Sequence, residues 1–282
     1  MTPVGLNRAL AGKRYHAGFV VTAEAIEDYA RATNDPNDRY LAGAGSVASP
    51  VWPVVPAFGL FMAAAKDPDL GADFLRLVHG AEAHVLGPPI RPGDTLSVDA
   101  VLESITDVAA GEAFTVSATE TNQDGAEVAR VSGTMVIRGG ARPRQRRGAP
   151  HVDAPGAIAF EQATKVDADQ ARRYAAASGD HNPIHLDDDV AKAARLPGVI
   201  LHGMCTMAFA TKAAVDGLAG GDPTRVREVS VEFSKPVFPG QELTTRLWPL
   251  SEDGGVATYG FSTHQPAGAA VLRGGRVAID EG

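Results

Sequence analysis

Hydrophobic positions follow two patterns along this chain, continuous in two segments and alternating in eight others. The segments near 57–66 and 203–216 are apolar on nearly every side and rich in Ala, Met, Phe and Leu, which predicts two buried helices. Each is followed by four β-branched or alternating segments, separated by Pro-Gly, Asp-Gly and Gly-Gly turns. The pattern predicts an α+β fold in which an antiparallel sheet wraps around a central apolar helix. The predicted strands are LVHGAEAHVL, TLSVDAVLESI, AFTVSATETN and EVARVSGTMVIR in the first half, and VREVSVEFS, ELTTRLWPLS, VATYGFSTHQ and AVLRGGRVAID in the second.

This order of elements occurs twice because the chain contains an internal repeat. Three pairs of segments match in the same order: 26–40 with 171–185, 53–66 with 197–212, and 87–98 with 234–246. We therefore expect an N-terminal domain over 1–139, a linker over 140–156 and a C-terminal domain over 157–282. The linker holds four arginines among glycine and proline, which favours a solvated segment over a phosphate-binding patch. These arginines are Arg142, Arg144, Arg146 and Arg147.

A short helix opens each copy. Thr22 is the predicted N-cap of the first helix and Asp167 that of the second, where Gln170 three positions on resembles a capping box. Pro183 is expected to end the second helix.

Composition narrows the class of protein. A net charge of −8 argues against nucleic acid as a partner. No run approaches the roughly 18 apolar residues that span a bilayer, and the N-terminus does not resemble a secretory signal. The single cysteine, Cys205, suits a reducing compartment. We expect a cytoplasmic protein without membrane spans.

The loop SGDHNPIH of the second copy, residues 178–185, concentrates the candidate chemistry. An ordinary polar turn is one interpretation, because Ser, Gly, Asp and Asn all favour turns. A metal site built from His181 and His185 is a second, but Pro183 between them prevents one helix from presenting both rings on one face. The third is an acid/base pair in which Asp180 and His185 share a water molecule. On composition alone the polar turn is favoured, and the acid/base pair stays open beside it. We discount a metal and expect His181 to face solvent.

A second candidate group is the backbone at the start of the second apolar helix. His202 and Gly203 stand there, and the Gly203 N–H would be one of the unpaired donors of the first turn. Such a donor can stabilise charge that develops on a carbonyl oxygen. The alternative is that Gly203 merely permits tight packing, as Gly59 would at the matching position.

The first copy keeps Asp35 and Asn37 but has Tyr40 where the second has His185, and Phe58 where the second has His202. It therefore should not perform the same reaction. We expect it to supply partner surface and a wide apolar pocket, with Tyr40 as a candidate substrate contact.

The segment from Tyr174 to Ala210 resembles the MaoC-like, R-specific enoyl-CoA hydratases, whose Gly-Asp-x-Asn-Pro-x-His loop precedes a His-Gly at the start of the central helix. The resemblance implies a double hot-dog fold with a degenerate N-terminal half. It implies that Asp180 and His185 hold the water, that Asn182 supports them and that the Gly203 amide binds the thioester oxygen.

Several further expectations accompany this resemblance. The substrate would be a trans-2-enoyl-CoA thioester or the same group on an acyl carrier protein, and no cofactor would be needed. His202 and Lys235 become candidate substrate contacts, Lys235 for a phosphate of the carrier. A homodimer is possible. A non-catalytic acyl-binding subunit and a hot-dog thioesterase remain alternatives.

Overall fold

The structure, a computed structural model, describes residues 5–139 and 156–281. Most of the predicted linker, including its four arginines, lies outside the described residues. The first half contains β1 (Arg14–Val20), α1 (Ala23–Ala32), α2 (Val54–Ala65), β2 (Leu77–Leu86), β3 (Thr95–Val108), β4 (Gly111–Thr121) and β5 (Glu127–Arg138). The second half contains β6 (Phe160–Lys165), α3 (Gln170–Ser178), α4 (Asp188–Ala193), α5 (Gly203–Gly217), β7 (Val226–Phe233), β8 (Glu242–Asp253), β9 (Val256–His264) and β10 (Ala270–Asp280). Short 3₁₀ turns cover Arg8–Leu10, Gly43–Gly45, Phe74–Arg76, Pro183–His185 and Pro223–Arg225.

The strands form one antiparallel sheet in the order β1-β3-β4-β5-β2-β7-β10-β9-β8-β6. The order within the first half, 1-3-4-5-2, is repeated in reverse in the second, and β2 pairs with β7 where the halves meet. In this pairing Glu82 lies opposite Val231 and His84 opposite Val229. The two copies therefore complete each other's sheet.

The predicted α+β class and all eight predicted strands are confirmed, as are both apolar helices. Helix α2 packs on strands of the first half and α5 on strands of the second. Both helices are largely buried, which explains why neither has one dominant polar face. Two strands were not predicted, β1 and β6, and they form the two edges of the sheet.

The two predicted N-caps have different outcomes. Thr22 caps α1 as predicted, because its side-chain oxygen accepts the Ala25 N–H at 3.1 Å. The prediction for Asp167 is wrong, since α3 begins only at Gln170 and the residue before it, Asp169, makes no side-chain capping bond. The Asp167 carboxylate instead accepts hydrogen bonds from Asn34 and Arg173, while its N–H donates to Gln170 Oε1 at 3.3 Å. A contact with the other half has replaced the cap.

The expected role of Pro183 is also wrong. Helix α3 ends earlier, at Ser178, because Gly179 adopts a left-handed conformation with φ 79° that few other residues tolerate. Pro183 instead starts the 3₁₀ turn that ends at His185. The loop 179–182 therefore belongs neither to α3 nor to the 3₁₀ turn. Among the described residues, none of the helices has the length and apolar character that crossing a membrane requires.

Candidate active site

Local hydrogen bonds fold the loop that follows α3. The Asp180 N–H donates to Ser178 Oγ at 3.2 Å, and Asp180 Oδ1 accepts the Asn182 N–H at 3.0 Å. Asn182 Oδ1 in turn accepts the Ile184 N–H at 3.3 Å. Short polar side chains that bond two residues ahead are what Asp and Asn supply in turns. Asn182 thus shapes the loop between Asp180 and His185, and its supporting role in catalysis stays a prediction.

Backbone carbonyls orient both histidine rings of the site. His185 Nδ1 lies 2.8 Å from the Ile200 carbonyl oxygen, and His202 Nε2 lies 2.9 Å from that of Asp180. A carbonyl only accepts, so each of these ring nitrogens carries the proton. Nε2 of His185 and Nδ1 of His202 are then the basic nitrogens of the neutral rings. The rings stack, with centroids 3.7 Å apart.

These residues converge as the sequence predicts. One nitrogen or carboxylate oxygen from each of Asp180, His185 and His202 lies within 4.8 Å of the others. Asp180 is partly exposed, whereas His185 is 8% and His202 only 1% exposed. His202 contacts the Asp180 carbonyl and the His185 ring and is not among the residues that line the cavity, so its expected role as a substrate contact stays a prediction. His181 is exposed, as predicted.

Burial sets the charge state of both rings. It lowers the pKa of His185, and the nearby Asp180 carboxylate and the hydrogen bond to Ile200 only partly oppose this. It lowers the pKa of His202 to about 2, with the neighbouring His185 contributing in the same direction. Both rings are therefore neutral at neutral pH, and His185 offers an unprotonated Nε2 next to a carboxylate.

The residue types of this cluster also occur in metal sites, and one possible ligand atom from each residue lies within 4.8 Å of the others. A carbonyl at the second nitrogen of each ring is compatible with a metal ligand as well as with a general base. The expectation of no metal and no cofactor stays a prediction.

Gly203 is the first residue of α5, directly after His202. A Cβ added there would lie 2.9 Å from two ring carbons of Phe233, so a larger residue would displace the ring or the helix start. The N–H groups of a first helical turn have no partner within the helix, and they carry its positive dipole end. The position suits the oxyanion donor predicted for Gly203.

A small cavity opens beside Asp180, and residues of both halves of the chain line it. From the second half it is lined by Tyr174, Ser178, Asp180 and Met204. The first half contributes Val54, Phe58, Phe61, His79 and Met135. Helix α2 thus supplies the apolar wall expected of the first copy.

The structure does not bring the other two predicted substrate contacts to this cavity. Tyr40 is 1% exposed, packs in the hydrophobic core and is not among the lining residues. Its loop instead joins the halves, because Asn37 donates to the Gly221 carbonyl at 2.8 Å. This loop therefore contributes to the contact between the two halves. Lys235 is exposed beyond the end of β7, and its role stays a prediction.

Sequence reasoning missed three polar lining residues, His79, Tyr174 and Ser178. The Tyr174 ring packs on the His202 ring, with centroids 4.8 Å apart, and its hydroxyl lies 3.5 Å from that of Tyr29. His79 belongs to β2, where HGAEAH places two histidines and a glutamate in a strand expected to be buried. That concentration of ionisable side chains was the available signal.

An antiparallel sheet wrapped around two apolar helices, with an Asp/His pair and a glycine helix start at one cavity, defines a doubled hot-dog protein of the dehydratase class. The model of the MaoC-like domain matches residues 154–260, and that of the FAS1-like dehydratase domain region matches residues 9–131. The 3-hydroxyacyl-thioester dehydratase Y of Mycobacterium tuberculosis is 33% identical over 80% of this chain and 77% of that protein. The chain belongs to the MaoC-like dehydratase family.

Comparisons with other proteins show the same fold and differ in how much of each chain is matched. A crystal structure of a MaoC-like dehydratase from Phytophthora capsici covers 99% of this chain and 98% of that one, with 25% identity and a TM-score of 0.84. A Mycobacterium tuberculosis protein described as a double hotdog has a TM-score of 0.67 at 16% identity, over 96% of each chain. The peroxisomal multifunctional enzyme type 2 of Mus musculus is 31% identical over 69% of this chain. The matched region spans only 28% of that longer protein.

Proposed function

We propose that this protein catalyses the reversible addition of water to a trans-2-enoyl-CoA, giving a (3R)-3-hydroxyacyl-CoA. The observation that carries the proposal is the neutral His185 ring beside Asp180, with Asp180 lining a cavity whose far wall is apolar. The relatives named as enoyl-CoA hydratases and 3-hydroxyacyl-thioester dehydratase support it.

In the proposed mechanism, Asp180 and His185 Nε2 hold one water molecule between them. The pair removes a proton from this water as its oxygen bonds to C3 of the enoyl group. The same proton is then delivered to C2 on the same face, so one water is added and both residues return to their starting state. Positioned acid/base groups of this kind contribute about 10² to 10⁴ in rate.

The thioester itself activates the double bond, because negative charge moves onto its oxygen as water adds. In our proposal the Gly203 N–H donates to this oxygen, supported by the dipole of α5. A single well-placed donor contributes about 2.7 to 4 kcal/mol to lowering the barrier. The roles of Asp180, His185, Asn182 and Gly203 all belong to this proposal.

Further parts of the proposal concern the carrier and the setting. The exposed Lys235 would contact a phosphate of CoA, or of the phosphopantetheine arm of a carrier protein. We propose a cytoplasmic enzyme, which the single, buried Cys205 supports. A homodimer is not required for completing the sheet, because β2 and β7 already pair within one chain.

The test is to incubate the purified protein with crotonyl-CoA, longer trans-2-enoyl-CoAs and the matching carrier-protein thioesters. We expect loss of enoyl absorbance and a 3R product by chiral analysis. Release of free CoA without a 3-hydroxyacyl thioester would identify a thioesterase instead. No turnover of any thioester, together with binding of acyl-CoA, would support a non-catalytic subunit.

A further inference from the structure

A second cluster of ionisable side chains lies on β2, outside the Asp180 and His185 pair. Glu82 is fully buried, and its two carboxylate oxygens lie 2.8 Å from His79 Nε2 and 3.1 Å from His84 Nε2. His84 is equally buried, and its Nδ1 donates to the Pro50 carbonyl at 3.1 Å. The three side chains form one hydrogen-bonded chain that begins in the core and ends at His79.

A β-bulge makes this arrangement possible. Side chains alternate between the faces of a strand, so positions three apart normally point to opposite sides. The pairing of β2 with β5 shifts register between His79 and Ala81, which places an extra residue at Gly80. The shift lets His79 reach Glu82 on the inner face, where His84 already lies. Gly133 opposite Glu82 leaves the space, since a Cβ there would lie 2.9 Å from Glu82 Oε2.

A buried carboxylate with two histidines lowers the stability of the fold compared with apolar side chains in the same place. Burying a carboxylate is unfavourable before its partners are counted. Here burial would raise the pKa of Glu82, but the hydrogen bonds from His79 and His84 outweigh it and hold that pKa below its ordinary value. An apolar residue would fill the same space without this cost. What the cluster adds is a fixed orientation for the one member that reaches the cavity.

That member is His79, whose side chain is 23% exposed and lines the same cavity as Asp180. Its Nε2 donates to Glu82, so in the neutral ring Nδ1 is the nitrogen left to accept a hydrogen bond. The ring also packs on Phe233, with centroids 4.6 Å apart. The same Phe233 ring lies beside Gly203, where any side chain would collide with it. Phe233 therefore separates His79 from the proposed thioester site.

The rest of the wall from the first half is apolar. Val54, Phe58, Phe61 and Met135 offer no hydrogen bond to a ligand, and His79 alone interrupts them among the lining residues described there. A plain hydrocarbon chain would be served best by an apolar side chain at this position as well. A fixed acceptor in an apolar pocket favours a ligand that carries the matching donor, by about the net value of one neutral hydrogen bond.

We propose that His79 is a specificity-determining residue whose Nδ1 accepts a hydrogen bond from a hydroxyl group on the acyl part of the substrate. This inference rests on the proposed function, because it takes the cavity as the acyl site of an enoyl thioester hydratase. It adds a substrate class: enoyl thioesters that are hydroxylated beyond the double bond. Glu82 and His84 are positioning residues that act through His79.

The experiment compares kcat/KM for trans-2-octenoyl-CoA with that for analogues carrying one hydroxyl on each successive carbon beyond the double bond. For at least one analogue we expect the wild-type enzyme to show a preference of about fivefold to tenfold, the effect of one neutral hydrogen bond. In His79→Phe, which keeps an aromatic ring against Phe233, this preference should fall to about one. Because the readout is a ratio measured on one preparation, a partly unfolded variant does not distort it.

Met135→Leu is the matched control. Met135 lines the same wall without a hydrogen-bonding group on offer, so this change should alter kcat/KM for both substrates by the same factor. Equal kcat/KM values for all substrates in the wild-type enzyme would overturn the inference, whatever the variants do. A preference that survives in His79→Phe would overturn it too. If no enoyl-CoA is hydrated at all, the proposed function fails and takes this inference with it.

Discussion

At the scale of residues, two backbone carbonyls determine which nitrogen of each histidine ring is left unprotonated. Because Ile200 and Asp180 each occupy one histidine nitrogen, the neutral His185 ring keeps Nε2 free, and the His202 ring is held behind it. The sequence motif was sufficient to predict that Asp180 and His185 lie close together, since both belong to one short loop. It could not reveal that His202 positions its neighbours, because this depends on how the start of α5 packs on that loop.

Gly203→Ala tests the oxyanion donor. The new methyl group would meet the Phe233 ring at 2.9 Å, so the first turn of α5 must shift and its N–H must move off the thioester oxygen. We expect kcat for crotonyl-CoA to fall by about 10² to 10³, as for the loss of one oxyanion donor.

Gly59→Ala is the control at the matching position of the first copy. A Cβ at Gly59 meets nothing within 4 Å, and the residue is exposed on α2. Alanine should leave hydration unchanged and stabilise the protein by about 0.5 to 1 kcal/mol, measured by denaturant unfolding. Equal losses of activity in both variants would refute a special role for Gly203.

The pH dependence of kcat should reflect the lowered pKa of the buried His185 ring. The neutral ring is the active form, and burial lowers its pKa from the ordinary value of 6.5. As pH falls, activity should therefore stay level through 6.5 and decline only at lower pH, where the ring becomes protonated. A pH–rate profile of crotonyl-CoA hydration measures this, and a decline centred at or above 6.5 would contradict it.

At the scale of elements, hydrophobic pattern predicted the long strands and both central helices well. It missed β1 and β6, which are short, lie at the sheet edges and show alternation only over six or seven residues. It misplaced the start of α3 because the Asp167 side chain accepts from Asn34 of the other half and from Arg173 within α3 instead of capping the first turn. The bulge at Gly80 could not be predicted from the sequence either, since it is defined by the pairing of β2 with β5.

The two helix starts should respond differently to removal of their side chains. Thr22→Ala removes a capping bond to the Ala25 N–H and should cost about 1 kcal/mol in the free energy of unfolding. Asp169→Ala removes no capping bond and only an exposed ion pair with Arg173, worth less than about 0.5 kcal/mol. Urea unfolding of both variants measures the difference, and equal costs would show that the capping assignment is wrong.

At the scale of the whole molecule, the duplicated halves have divided their tasks. The second half carries the Asp180 and His185 pair, and the first supplies the apolar wall of the cavity. The repeat made this division readable from sequence, because Tyr40 stands where a base should be. The position of His79 in the cavity was not readable, because it follows from the meeting of the two halves.

Thermal unfolding should show whether the two halves unfold together. The halves share the β2 and β7 pairing, the contact of the Tyr29 and Tyr174 rings, and hydrogen bonds from Asn34 to Asp167 and Gln170. We expect one cooperative calorimetric transition with equal calorimetric and van't Hoff enthalpies. Two resolved transitions would mean that the halves are energetically independent.

The central claim is tested most directly by the rate of crotonyl-CoA hydration in Asp180→Asn, His185→Gln and the double variant. If the two side chains share one water, each single change should lower kcat by about 10² to 10⁴, and the double change should cost little more than either alone. Folded protein with near wild-type kcat in either single variant, or losses that multiply in the double variant, would contradict the shared-water site.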